Sequence, residues 1–139
     1  MSETAIFWPM LAQIALVYVI YALISLRRIE AIRAGNARSS QFRENQVEPP
    51  ESLFVRNNLA NQFELPVLFY AACLSLYVTS GVSTVPVVLA WLFALSRIVH
   101  AYVHVTSNRL RYRRPIFTFG YVVLALMWVW FALHLLGLA

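Results

Sequence analysis

Four stretches of the chain are mainly apolar over roughly the length that crosses a bilayer: about Ala5 to Leu26, Leu53 to Thr79, Val85 to Val105 and Pro115 to Leu138. A hydrocarbon core about 30 Å thick takes roughly 20 residues of helix, so each stretch is long enough for one span. The pattern predicts an all-α integral membrane protein, a single four-helix up-and-down bundle over residues 1–139. Turn chemistry sets the boundaries. Ser80-Gly81 closes the second span, Ser83 or Thr84 caps the third ahead of Pro86, and Pro115 fits the first turn of the fourth. Pro66 lies well inside the second span, where it removes one backbone donor and crowds the Gln62 carbonyl, so a bend is expected there. The polar stretch 27–52, with Gly35, Asn36 and Pro49-Pro50, is expected to be one cytosolic loop, with the first helix extended through Ile32.

Composition removes the soluble alternatives. Of 139 residues, 60% are hydrophobic and only 12% are charged, a balance that water could not cover. The first span has no basic region ahead of it, and Arg27 and Arg28 follow it, so it is expected to be a mature helix rather than a secretory signal. Cys73 is the sole cysteine, which excludes an intrachain disulfide and suits a small packing residue.

Charge adds an orientation. All eleven basic residues are arginine. Arg27, Arg28, Arg33, Arg38 and Arg43 lie between the first two spans, and Arg109, Arg111, Arg113 and Arg114 between the last two. Those connections are expected on the cytoplasmic side, with both termini outside the cytoplasm of a bacterial inner membrane. The net charge of +5 follows from this asymmetry; it points to anionic lipid headgroups as partners and not to nucleic acid.

Candidate chemistry sits in the second and third spans, where each polar group costs about 2.5 to 3.5 kcal/mol to insert and so requires a reason. At 3.6 residues per turn, Asn57, Asn61 and Glu64 fall on one face. Arg97, His100 and His104 form one stripe, and Tyr102 with Arg109 a neighbouring one. A structural role would pair Glu64 with Arg97 or Arg56. Asn57 and Asn61 suit either an interhelical bridge or a zwitterionic, peptide-like ligand. His100 and His104 have the spacing of helical metal ligands, but no third ligand lies near in sequence, and no metal is expected.

Asn61-Gln62-Phe63-Glu64-Leu65-Pro66, together with Arg97-Ile98-Val99-His100-Ala101-Tyr102 through Asn108-Arg109, resembles the MAPEG family, the membrane-associated proteins in eicosanoid and glutathione metabolism, in a bacterial-type form. The resemblance implies a homotrimer that holds glutathione, as co-substrate, between neighbouring subunits near the cytosolic face. The pocket would open to lipid and admit apolar small-molecule substrates. Carried over by position, Asn61 and Glu64 match the ligand pair of the second span and Tyr102 a glutathione-contacting tyrosine. Arg109 matches the catalytic arginine that stabilises the thiolate, and Arg27 or Arg28 a basic residue ending the first helix. Arg56, Asn57 and Arg97 complete the expected glutathione-binding set. Asn57 stands where some members have arginine, and Ile98 where some have a second tyrosine. The implied activity is a glutathione-dependent transferase or peroxidase acting on apolar electrophiles or lipid hydroperoxides. The alternative is a non-catalytic protein that binds a lipid or presents a partner in the same groove.

Overall fold

The computed structural model describes residues 1–44 and 47–139. A 3-10 turn, Glu3–Ile6, leads into α1 (Phe7–Arg33), followed by α2 (Ser39–Arg43), α3 (Pro50–Asn61), α4 (Leu65–Val78), α5 (Thr84–Val105) and α6 (Leu110–Leu135). No strand occurs among the described residues. The four membrane-length spans are α1 with its leading turn, α3 with α4, α5, and α6. α5 is the central helix, packed against α1, α3 and α6.

The connection after α1 is more ordered than a plain loop. α1 continues to Arg33, and Gly35 at φ +79° then reverses the chain. Gly35 N–H reaches the Ile32 carbonyl at 3.1 Å and Asn36 N–H the Ala31 carbonyl at 3.0 Å, a paired glycine cap that satisfies two terminal carbonyls. α2 follows, and α3 opens on Pro50, whose fixed φ suits a first helical residue. Asn45 and Gln46, inside the expected 27–52 loop, lie outside the described residues.

The second span is broken, not merely bent. α3 ends at Asn61, residues 62–64 form turns, and α4 restarts at Leu65. Pro66 has no N–H to return to Gln62, and the chain ahead of it tightens into three-residue turns, with Phe63 N–H bonded to the Ala60 carbonyl at 3.1 Å and Glu64 N–H to Asn61 at 3.4 Å.

The fourth helix starts a turn and a half earlier than the proline suggested. Asn108, at φ +48°, reverses the chain after α5, and the Arg109 carbonyl accepts from Tyr112 N–H at 3.1 Å and Arg113 N–H at 3.0 Å. Pro115 therefore lies inside α6, and the helix gives up the one bond that its nitrogen would have made. The added residues carry Arg111, Arg113 and Arg114 into the helix.

Two apolar clusters are stacked along the bundle. One, at the end of the α4–α5 turn, joins Ile6, Phe69, Ala72, Cys73, Leu76, Ala90, Phe93, Val123 and Met127 among others. The other, toward the arginine-rich end, joins Ile20, Ile24, Val55 and Ala101. Between them in every span but α6 stand buried polar side chains: Gln13 on α1, Asn58 and Gln62 in the second span, Ser96, Arg97 and His100 on α5. Gln13 Nε2 donates to Gln62 Oε1 at 2.8 Å, Gln62 Nε2 to Asn58 Oδ1 at 2.9 Å, and Asn58 Nδ2 to the Ala101 carbonyl at 3.4 Å. This layer ties α1, α3 and α5 together, which apolar contact alone does weakly when lipid is as apolar as the core.

Close approach elsewhere depends on two glycines. A methyl at Gly81 would sit 2.6 Å from the His134 ring, which donates from Nε2 to the Thr79 carbonyl at 3.0 Å. A methyl at Gly120 would sit 2.8 Å from Ser96 Oγ, held in place by its bond to the Phe93 carbonyl at 2.7 Å. Gly120→Ala is expected to destabilise the bundle by about 1 to 3 kcal/mol, the usual cost of overpacking. Because Ser96 Cβ is 3.8 Å away, the same change in a Ser96→Ala background is expected to be almost neutral. Thermal unfolding of the four variants in detergent tests this; an equal loss in both backgrounds would refute the contact.

Candidate functional site

The break in the second span creates the first of two polar grooves. Asn61, the last residue of α3, and Glu64, the residue before α4, line a groove of about 350 Å³ with His100 of α5 and Arg113, Arg114, Phe117 and Thr118 of α6. Asn61 Nδ2 donates to His104 Nδ1 at 3.3 Å. The His100 and His104 rings meet edge to face at 5.7 Å, and His100 lies 5.9 Å from the Phe117 ring. Arg113 is positioned by a hydrogen bond from Nη1 to Asn108 Oδ1, so the residue that turns the chain also aims the guanidinium.

The groove is therefore lined by residues that carry one carboxylate, one amide, one imidazole and two guanidinium groups, toward the arginine-rich end of the bundle. Two cations against one anion favour a ligand that is itself net negative, and the guanidinium forks match carboxylates.

A second groove, of about 460 Å³, runs between α1 and α3 and is lined by Tyr21, Ser25, Arg28, Arg56, Asn57 and Phe63 among others. Its arginines meet Glu48. Arg28 donates from Nε to Oε1 at 3.0 Å and from Nη2 to Oε2 at 2.9 Å, while Arg56 Nε lies 3.9 Å from Oε2. Ser52 Oγ also donates to Oε1, and the Arg28 guanidinium sits 4.8 Å over the Phe42 ring. Burial pushes the Glu48 carboxyl up, but the hydrogen bonds from Arg28 and Ser52 and the charges of Arg28 and Arg56 outweigh it and hold the pKa below its usual 4.5.

The sequence-predicted residues separate across these surfaces. Asn61 and Glu64 share the first groove; Arg28, Arg56 and Asn57 share the second. Asn57 and Glu64 part company because the chain leaves the helix between them. Arg27 lies beside Glu30 at 3.9 Å, half exposed. Arg97 is 2% exposed, with its Nε unpartnered. Glu64 makes no ion pair within 4.0 Å with Arg97 or Arg56 among the described residues.

Tyr102 is 69% exposed on the outer side of α5, and Arg109 is the residue capping α6; neither lines the two grooves. The residues that the sequence did not single out for the site are Arg113 and Arg114. With the fourth span expected to start at Pro115, they read as loop charge, and only the earlier helix start turns them toward Glu64.

The sequence profile of the MAPEG family matches residues 5–133. The chain belongs to the MAPEG family. Neither the curated proteins nor the solved structures yield a match. In this MAPEG protein the match runs from the start of the first span almost to the end of the fourth, so both grooves fall inside it.

The sign of the Glu48 shift predicts a pH dependence. A carboxyl with a lowered folded pKa stabilises its contacts fully above the unfolded value and loses that stabilisation as pH falls through the folded one. Amide exchange across Val47 to Ser52, corrected for intrinsic rates, is expected to stay constant from neutral pH down to the ordinary carboxylate value of 4.5 and to rise only below it. A rise near pH 6 would contradict the ion pair.

Proposed function

We propose that this protein is a glutathione-dependent transferase or peroxidase that acts on apolar electrophiles or lipid hydroperoxides. The observation that carries the reading is the groove at the broken second span, where Arg113 and Arg114 face Asn61, Glu64 and His100. A free thiol has a pKa of about 8.5 and is mostly protonated at neutral pH, so a nearby guanidinium raises the fraction of the attacking anion. Lowering that pKa by about two units corresponds to roughly 2.7 kcal/mol of differential stabilisation.

Arg113 is the better candidate than Arg109 for this role, because Arg113 lines the groove while Arg109 caps the helix. Glu64 supplies a partner for the ligand's ammonium, and arginines partners for its carboxylates. In the homotrimer that the family resemblance implies, glutathione lies between subunits. The two polar grooves of one chain are then two halves, the first completed by a neighbour's second, with Arg28, Arg56 and Asn57 contributed across the interface.

A second reading is favoured by a separate feature. Leu92, Leu95, Val99, Pro115, Ile116 and Phe119 line an apolar groove of about 370 Å³ between α5 and α6. A non-catalytic protein could hold an acyl chain there, and the same groove would serve an enzyme as the entry for apolar substrate.

An ultraviolet thiolate titration with glutathione at neutral pH, on protein purified in detergent, separates these. The native chain is expected to give a saturable thiolate signal that Arg113→Ala abolishes and Arg109→Ala preserves, with conjugation to an apolar halide slowed on the order of a hundredfold in Arg113→Ala. Loss in Arg109→Ala alone would return the role to Arg109. No signal from the native chain would favour the lipid-binding reading.

A further inference from the structure

Glu48 is a carboxylate bonded at both of its oxygens. Its side chain is only 5% exposed, although it sits in the irregular residues 47–49 ahead of α3. Both oxygens are engaged: Oε1 by Arg28 Nε and Ser52 Oγ, Oε2 by Arg28 Nη2 with Arg56 Nε nearby. The two-pronged pairing with Arg28 is the geometry that a carboxylate ligand would adopt on the same guanidinium. Arg28 and Arg56 are meanwhile the cations of the α1–α3 groove, with side chains 33% and 50% exposed.

We propose that Glu48 is an internal carboxylate that holds the arginines of this groove until a ligand's carboxylate takes its place, so that filling the groove releases the segment ahead of α3. The inference rests on the reading that the groove contributes to a glutathione site. It makes Glu48 a determinant of specificity. An anionic ligand exchanges one carboxylate for another and leaves the arginines paired, whereas a neutral ligand would have to break the ion pair and leave two cations without a counter-charge. The segment is tied to the pair at three points: Ser52 at the start of α3, Phe42 beneath Arg28, and the carboxylate itself. Displacement therefore reaches both α2 and the first turn of α3.

Calorimetric titration of the full chain in detergent with glutathione, and with its diethyl ester lacking both carboxylates, tests the exchange. Glu48→Gln keeps the shape and removes the charge, and is expected to bind glutathione about tenfold more tightly, the scale of one charge-assisted hydrogen bond, with no gain for the diester. Ser52→Ala removes one donor to Glu48 and is expected to show a smaller gain in the same direction; it decides the matter if Glu48→Gln fails to fold. Glutathione binding by the native chain with equal or weaker binding by the folded variants overturns the exchange and leaves the thiol-activating groove intact. No binding by any form overturns both.

Discussion

The structure depends on satisfying polar groups below the membrane surface, where no water is available to do it. The break at residues 62–64 is the centre of that problem, because it exposes backbone in the middle of a span and brings Asn58, Asn61, Gln62 and Glu64 with it. The bundle answers with partners from its neighbours: the Gln13 side chain of α1 for Gln62, the Ala101 carbonyl of α5 for Asn58, and the His104 ring of α5 for Asn61. Irregular backbone at membrane depth is tolerated only when protein covers it or it lines a cavity. Here both conditions hold on different sides of the same turn.

The central position of α5 follows from this. It carries the buried Arg97, His100 and His104 on the stripe that faces α3 and α6, and small residues such as Ala90, Ala94 and Ala101 on its buried side. Gly120 on α6 lets that helix approach Ser96 closely, so α6 places Arg113, half-buried, and Arg114, exposed, beside the broken span. Packing and chemistry are thus coupled: the helix that packs on Ser96 through Gly120 is the one that carries Arg113 and Arg114 to the groove.

At the other polar groove the same constraint works between arginines and one acid. With eleven arginines and six acidic residues in the chain, carboxylates are scarce, and Glu48 is shared between Arg28 and Arg56. That sharing ties Glu48 to the end of α1 and to the first turns of α3, with Phe42 of α2 against the Arg28 guanidinium.

The sequence by itself determined the number of spans, their order and the all-helical class, because lipid demands long apolar stretches and closed backbone bonding, and both are local properties. It marked Pro66 as a disturbance and Cys73 as a packing residue, and placed Asn57, Asn61 and Glu64 on one polar face; the family resemblance alone singled out Asn61 with Glu64. The tertiary structure decided the rest. Whether Pro66 bends or breaks the span depends on Gln13 and Asn58 standing ready to bond Gln62. The start of α6 at Leu110 depends on the turn at Asn108 and not on Pro115, and that shift brings Arg113 into the groove while leaving Arg109 at the cap. Glu48 gave no signal along the chain, since an acid in a polar connection looks the same whether solvated or buried. Only the convergence of α1 and α3 on it shows which it is.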